Sequence, residues 1–348
     1  MKKVDYIVVG SGLAGIMFCD VLMQHGKTFL VVDDGSQKAS IVAGGLYNPV
    51  VLKRFTPVWK SNEQLQLDIP RYKALEKKLK VQLDYKVPVY RLFASIEEQN
   101  NWFLASDKVG LSSYIKPEIH QIENKSIKSE FGYGKVLHTG RIDTKALTTT
   151  FKKMLQDNNQ LVETTFNYDA IQFNQDNITY NNTEVKHIVF AEGFGLKKNP
   201  FFNHLPLKET KGELLIIYAP KLNIDFVLKS SVFLIPLGAH KYIVGATYEW
   251  HDKSNKTTEA AKTELLNKLK IFINCDFQVV DQVAGIRPTV LDRRPLVGQH
   301  NKHKQLNVLN GLGTRGVMIA PYVAKRLYNF IENGIEIDSE INITRFNN

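Results

Sequence analysis

The sequence has little cysteine and no long apolar run. Cys19 and Cys275 are the two thiols among 348 residues, which are too few for a disulfide framework and are typical of a reducing compartment. No stretch has the length and apolarity of a spanning helix. The basic, apolar start of the chain is interrupted by Asp5 and spaced glycines, unlike a signal peptide. We therefore predict a cytoplasmic globular protein of about two domains, without a membrane partner.

Motifs for metal binding and for a nucleophilic triad are also missing. Neither HExxH nor CxxC occurs, and His138, His240 and His251 lack ligand spacing. No nucleophile elbow supports a Ser-His-Asp triad. We predict no metal site.

Arginine is scarce among the basic residues. The formal net charge is +10, yet only 10 of the 45 basic residues are arginine. Such a charge leaves an RNA partner open, because lysine and arginine neutralise phosphates. Lysines that are scattered among many asparagines are more typical of a Lys/Asn-rich proteome than of a dedicated phosphate-binding site. Nothing in the sequence indicates the oligomeric state.

The N-terminal segment does contain a clear pattern. "DYIVVG" reads as a buried strand, "LAGIMFCDVLMQHG" as a helix closed by Gly26, and "TFLVVDD" as a second strand. The intervening "GSGLAG" places Gly10, Gly12 and Gly15 where a tight turn, a diphosphate and close helix packing need them. Asp33, 18 residues after Gly15, is placed to bind ribose hydroxyls. This fingerprint predicts a dinucleotide and leaves NAD and FAD open.

The remaining pattern indicates two interleaved domains. An ordered loop follows residue 36, and a helix over residues 61–80 is expected to break near Pro70. Asp143 is a candidate N-cap, and the segments "GELLIIYAP", "SVFLIPLG" and "KYIVGATYEW" read as an antiparallel sheet. We predict an α/β fold with a Rossmann-like domain and an interleaved α+β substrate domain built on a mainly antiparallel sheet. The boundaries that we predict are 1–75, 138–205 and 282–348 for the first domain, and 76–137 and 206–281 for the second.

Four further motifs resemble one enzyme family. "ASIVAGGLYNP", "IVFAEG", "AGIRPTVLDRRPLVG" and "NGLGTRGVMIAP" occur in the order found in the D-amino-acid oxidase and glycine oxidase superfamily of FAD-dependent amine oxidases. The resemblance covers nearly the whole chain, from Val4 to about Leu327. It implies FAD as the cofactor, with a helix N-terminus after the last motif directed at the flavin. The contacts implied by motif and resemblance are Gly10, Ser11, Gly12, Leu13, Ala14, Gly15, Asp33, Asp34, Ser40, Gly44, Gly45, Ala191, Gly193, Gly313, Thr314, Gly316 and Val317.

The resemblance also implies substrate residues. Arg287 and Arg315 match positions at which the family presents guanidinium groups to a substrate carboxylate. An alternative is that Arg287 only braces its loop through an internal ion pair. Phe233 stands where the glycine oxidase pattern has a tyrosine, which argues against small free amino acids as substrates. Tyr248, expected on a neighbouring strand, either replaces that hydroxyl or simply lines the pocket.

Three functions remain open at this point. The first is oxidation of a small amine that carries a nearby carboxylate, by hydride transfer to flavin N5. The second is removal of a carboxymethyl group from 5-carboxymethylaminomethyl-uridine in tRNA, since "GLGTRG", "GATYE" and "LYNP" are similar to the oxidase domain of the bifunctional tRNA wobble-uridine enzyme. The third is a flavin-binding module without catalysis.

Overall fold

A computed structural model describes residues 1–346. Within this range the helices are α1 (Leu13–Gln24), α2 (Ala39–Val42), α3 (Ser61–Leu79), α4 (Ile96–Ser106), α5 (Thr144–Asp157), α6 (Glu259–Lys270) and α7 (Gly316–Asn333). The strands are β1 (Lys2–Val9), β2 (Phe29–Val32), β3 (Leu46–Tyr47), β4 (Val50–Val51), β5 (Thr56–Pro57), β6 (Asp84–Tyr85), β7 (Val89–Leu92), β8 (Tyr133–Val136), β9 (Gly140–Ile142), β10 (Leu161–Val162), β11 (Ile171–Phe173), β12 (Ile178–Tyr180), β13 (Thr183–Phe190), β14 (Thr210–Tyr218), β15 (Val227–Lys229), β16 (Phe233–Gly238), β17 (Lys241–Gly245), β18 (Gln278–Arg287), β19 (Leu296–Gln299) and β20 (Leu306–Asn310). Short 3₁₀ helices cover Tyr168–Ala170, Gly193–Lys198 and Ile343–Phe346.

An eight-stranded sheet carries the N-terminal glycine turn. Strands β10, β2, β1 and β13 run parallel in that order, and the far edge of β13 pairs with β12 and with β20. The inner residues of β1 are apolar on both faces, since helices such as α1 and α7 cover one face and a second core covers the other. The order β1-α1-β2 confirms the predicted Rossmann-like unit.

A seven-stranded sheet forms the second layer. Its order is β18-β14-β17-β16-β15-β7-β8, and only the β15–β7 pair is parallel, as expected for a mainly antiparallel sheet. Leu215 and Val244 lie on the face that packs against α6. Because side chains alternate along a strand, Leu214, Phe233 and Ile243 lie on the opposite face, toward the first sheet.

Two prolines lie inside helices. The expected break near Pro70 was wrong, because α3 continues through it to Leu79 with Tyr72 and Leu75 fully buried. Pro321 lies in the second turn of α7, so the carbonyl of Val317 lacks its usual intrahelical donor. The hydroxyl of Tyr72 donates to that carbonyl at 2.8 Å. The packing of α3 against α7 therefore compensates for Pro321.

The segment after β2 is more regular than the predicted loop. It contains α2 and the short strands β3, β4 and β5. Gly45 joins α2 to β3 with φ of +73°, and a Cβ there would lie 1.9 Å from the carbonyl oxygen of Ile142. Glycine is therefore required where this segment passes the strand β9.

The domain boundaries stay a proposal. All strands of the eight-stranded sheet fall within 1–75, 138–205 and 282–348, whereas α3 and β18 run through the boundaries at 75 and 281. None of the helices in the described residues is long and apolar enough to cross a membrane.

Candidate active site

The glycine turn has the shape that a diphosphate requires. A Cβ on Gly10 would lie 2.5 Å from the carbonyl oxygen of Ala191, and one on Gly15 would lie 1.9 Å from that of Gly10. A Cβ on Gly12 would meet only the side chain of Ser40, with 3.1 Å to its Oγ. Gly10 and Gly15 thus allow close backbone packing, and Gly12 leaves open space above the turn.

The start of α1 offers unpaired donors to that space. The N–H of Leu13 donates to Ser40 Oγ at 3.0 Å. Among residues 1–346, the N–H groups of Ser11, Gly12 and Ala14 have no acceptor. Free N–H groups at a helix N-terminus favour an anion, so the turn fits the diphosphate of FAD.

Two aspartates follow β2 and differ in their partners. Asp33 lies beside the glycine turn, where its carboxylate accepts a hydrogen bond from the hydroxyl of Ser11. Asp34 accepts hydrogen bonds from Ser36 N at 2.9 Å and Thr165 Oγ1 at 3.1 Å. Burial alone would raise the pKa of Asp34, but these hydrogen bonds hold it below its usual value. Asp33 remains the residue that we predict to bind the ribose hydroxyls.

A single cavity of about 1400 Å³ extends from the glycine turn to the start of α7. This volume exceeds that of most small-molecule pockets, which hold roughly 300–1000 Å³. Every residue that the sequence assigned to flavin or substrate lines it, except Gly15, which packs against Gly10. The structure therefore brings together Gly10, Ser11, Gly12, Leu13, Ala14, Asp33, Asp34, Ser40, Gly44, Gly45, Ala191, Gly193, Tyr248, Arg287, Gly313, Thr314, Arg315, Gly316 and Val317.

Glu192 is a cavity residue that the sequence analysis missed. Its buried carboxylate accepts hydrogen bonds from Tyr168 Oη at 2.5 Å and Asn199 Nδ2 at 2.7 Å, and burial raises its pKa. Asn310 Nδ2 donates to the carbonyl oxygen of Gly193 at 3.0 Å. The signal in the sequence that could have indicated this residue is the acidic side chain directly after the apolar run in "IVFAEG". This network positions the loop after β13 beside the glycine turn.

Arg315 is the N-cap residue of α7, and its side chain is half-buried in the cavity. Its Nη1 donates to the carbonyl oxygen of Asn48 at 3.0 Å. Burial lowers the pKa of Arg315 to about 10. Among the residues that the structure describes, no carboxylate lies within ion-pair distance of it. The guanidinium thus remains available for an anionic ligand.

Arg287 ends β18 and crosses the neighbouring strand at Gly212. A Cβ on Gly212 would lie 1.9 Å from Arg287 Nη2, so only glycine leaves room for the guanidinium. Nη1 donates to the carbonyl oxygen of Thr247 at 3.2 Å, and the guanidinium carbon lies 4.7 Å from the ring centroid of Tyr248. Burial lowers the pKa of Arg287. Within residues 1–346 it has no acidic partner, so the alternative of an internal ion pair was wrong.

Tyr248 lies beyond the strand on which the sequence analysis expected it. Strand β17 ends at Gly245, and Tyr248 follows in the loop, 61% exposed, with its ring against Arg287. Phe233 lines the same cavity from β16, opposite Gly245. The loop position lets Tyr248 cover the guanidinium without entering the sheet.

The fold and this cavity define a dinucleotide-binding protein with a second sheet over the ligand site. Residues 5–329 match the model of the DAO family, described as FAD dependent oxidoreductase. The chain belongs to this family, and FAD is its cofactor. No cluster of three potential metal ligands is found in residues 1–346.

Curated relatives are of two kinds. Glycine oxidase of Bacillus licheniformis is 24% identical over 155 residues, covering 42% of either chain. The tRNA 5-methylaminomethyl-2-thiouridine biosynthesis bifunctional protein MnmC of Legionella pneumophila (strain Corby) is 24% identical over 84% of this chain and 45% of its own. The matches thus span less than half the length of these relatives.

Solved structures share the fold over nearly the whole chain. Glycine oxidase of Bacillus cereus superposes with a TM-score of 0.76 at 18% identity, covering 96% of both chains. Iminodiacetate oxidase of Chelativorans sp. BNC1 gives 0.79 at 15% identity, covering 97% of this chain and 98% of its own.

Proposed function

We propose that this protein oxidises the C–N bond of an amine that carries a nearby carboxylate, such as an amino acid or an N-substituted glycine. The observation that carries the proposal is the pair of guanidinium groups, Arg287 and Arg315, which line one cavity and have no acidic partner among the described residues. A substrate carboxylate supplies the missing charge, and its two oxygens match the planar donor pairs of a guanidinium. Glycine oxidase and iminodiacetate oxidase, with the same fold, support this substrate class.

FAD, when bound, would supply the hydride acceptor for oxidation of the substrate C–N bond to an imine, which water would hydrolyse. The chain itself orients the substrate. Arg287 and Arg315 hold the carboxylate. Because each guanidinium is itself fixed by a hydrogen bond to a backbone carbonyl, the bound carboxylate has little freedom to rotate. Leu214 and Phe233 present apolar side chains to the cavity, which reduces the water around the neutral amine.

Phe233 favours a substituted amine over a small free amino acid. It lines the cavity without a hydroxyl to bind a carboxylate. An N-substituent can pack on its ring, and the exposed Tyr248 contacts Arg287 rather than filling this position. We therefore favour N-substituted glycines.

A tRNA substrate is the second candidate. It is supported by the similarity to the MnmC protein over 84% of this chain and by the net charge of +10. A 5-carboxymethylaminomethyl group is itself an N-substituted glycine, so the same arginines would serve. Lys153 also lines the cavity and offers a charge for a phosphate, whereas Lys152 and Lys197, which line it too, pair with Glu163 and Glu209.

Anaerobic reduction of the bound flavin distinguishes the candidates. The holoprotein is mixed with N-substituted glycines, amino acids, or tRNA bearing the carboxymethylaminomethyl group, and bleaching is followed by absorbance. We expect bleaching by an N-substituted glycine. Reduction by tRNA alone, weakening steeply with salt, would favour the second candidate. A flavin that stays oxidised with all three classes contradicts both.

The Arg315→Lys variant tests the carboxylate site directly. The variant should keep its flavin but lose the two-point contact, at a cost of about 2–4 kcal/mol in transition-state binding. That corresponds to a roughly 30- to 1000-fold decrease in flavin reduction per unit substrate concentration. A variant that is reduced as efficiently as the wild type would remove Arg315 from the substrate site.

A further inference from the structure

A group of basic side chains lines the cavity on the side of the second sheet remote from Arg287. Its members are Lys53, Arg91, Lys229 and Lys268, and we refer to them as the basic rim. The proposed carboxylate site does not use any of them. Their charges therefore require a separate account.

Lys229 is the member that faces the substrate region most directly. It ends β15, where it pairs with Phe233 of β16 on one side and Arg91 of β7 on the other. Paired residues in adjacent strands share a face, and Phe233 faces the cavity. The ammonium nitrogen of Lys229 lies 4.9 Å from the ring centroid of Phe233. Lys229 thus extends over the ring that an N-substituent would contact.

The charge of Lys229 is not neutralised within the described residues. Arg91 pairs with Glu98 at 2.5 Å, and Lys268 pairs with Glu264 at 2.5 Å. The half-buried Lys229 instead donates to backbone carbonyls, those of Ser230 at 2.7 Å and Ser231 at 3.4 Å. An ammonium has three donors, so at least one is free for a ligand.

The surroundings of Lys229 disfavour its charge. Burial, together with Arg91, Lys268 and Lys53, lowers the pKa of Lys229 to about 8, and Glu98 opposes this only partly. An anion placed beside the ammonium would offset both the burial and the repulsion.

The spacing suits one extended ligand. Three strand intervals of about 4.8 Å separate β15 from β14, where Gly212 underlies Arg287. The Lys229 ammonium lies at the ring of Phe233, which is on β16, one strand nearer to β14. The ammonium is therefore separated from the Arg287 guanidinium by roughly two strand intervals, or about 10 Å. A flexible chain of a few methylenes spans this distance.

We propose that Lys229 binds a second anionic group of the substrate, carried at the far end of the N-substituent, so that the preferred amine has an anion at both ends. This inference rests on the proposed function, since it assumes that the arginines hold the first carboxylate. The second anion is a carboxylate or phosphate of a small molecule.

The test compares two substrates of equal chain length. N-(4-carboxybutyl)glycine has a terminal carboxylate, and N-pentylglycine has a methyl group in its place. Flavin reduction is measured anaerobically for wild type, Lys229→Met and Lys241→Met. Lys241 is an exposed lysine on β17, so its loss makes the same change in net charge away from the cavity. Suberate and octanoate, which are not oxidised and have the same chain lengths as the two substrates, are titrated against the flavin spectrum as a binding readout.

We expect wild type and Lys241→Met to prefer the carboxylated substrate by about 10- to 100-fold in kcat/KM, as for a hydrogen bond between charged groups. In Lys229→Met the preference should vanish because the carboxylated substrate loses its partner, without a matching loss for N-pentylglycine. The preference of the site for suberate over octanoate should fall in parallel.

An equal loss of kcat/KM for both substrates in Lys229→Met overturns the second-anion site, as does a wild type without preference for the carboxylated substrate. Either result leaves the proposed function standing. Failure of every amine to reduce the flavin refutes the proposed function instead. Reduction by tRNA alone, weakened by Lys229→Met, assigns Lys229 to a phosphodiester and overturns the small-molecule proposal.

Discussion

Replacing Gly212 by alanine is expected to weaken substrate binding indirectly, by displacing the guanidinium of Arg287. The added Cβ would lie 1.9 Å from Arg287 Nη2, 2.2 Å from Cζ and 2.4 Å from Nη1. These atoms are the flexible end of a side chain, so the guanidinium moves and the sheet is preserved. Arg287 then loses its hydrogen bond to Thr247 and its contact with Tyr248.

The size of the effect follows from the required movement. Ordinary contact at about 3.5 Å demands that the guanidinium shift by roughly 1.5 Å. Misplacement of a binding group by about 1 Å can cost a factor of about 100. We therefore expect kcat/KM to fall by about 30- to 300-fold, equivalent to about 2–3.4 kcal/mol. The free energy of unfolding should change much less.

The assay is a double-mutant cycle between Gly212→Ala and Arg287→Leu. Anaerobic flavin reduction gives kcat/KM for the four proteins, and flavin content and thermal unfolding check that cofactor and fold are retained. If the glycine acts through Arg287, its substitution should have almost no effect in the Arg287→Leu background. An undiminished effect there, or full activity of Gly212→Ala alone, would refute the role of Arg287 in carboxylate binding.

Further outcomes are expected from the glycine turn and from pH. Gly12→Val should yield a folded, colourless protein, because the valine side chain occupies the open space above the turn. Gly15→Val should instead lower Tm, because its side chain clashes with Gly10. Flavin content and calorimetry distinguish the two effects. Wild-type flavin should be non-covalent and released by acid precipitation, and a yellow pellet would contradict this. Because Arg315 is charged only below its pKa of about 10, kcat/KM should fall as pH rises through that value. The value of kcat should persist to higher pH, since a bound carboxylate raises the pKa of Arg315. An unchanged KM above pH 10 would exclude Arg315 as a carboxylate-binding residue.

The parts of the fold that could be predicted are those encoded by local patterns. The β1-α1-β2 unit was recognisable because apolar runs and glycines lie at fixed spacing, and the Asp143 side chain accepts from Ala146 N at 2.9 Å as an N-cap should. The antiparallel pairing of β14, β16 and β17 followed from turn signals between apolar segments.

The remaining features depend on residues distant in sequence. Nothing local to Pro321 shows that Tyr72 donates to the carbonyl of Val317, so this contact was not predictable from the sequence. Lys229 was overlooked because its significance arises from pairing with Phe233 and Arg91 across strands. The roles of the assigned flavin and substrate residues remain proposals, although the structure gathers them around one cavity.

The order of strands in the first sheet has a consequence for biosynthesis. The glycine turn follows β1, yet its open space is completed by residues after β13 and at the start of α7, about 180 and 300 positions later. A ribosome-bound chain that has exposed only its first half presents the fingerprint without the walls of the cavity. Cofactor capture must therefore wait until translation has passed α7 and the late strands have docked. Newly made molecules pass through a flavin-free stage, and their survival against proteases during it depends on protein packing alone.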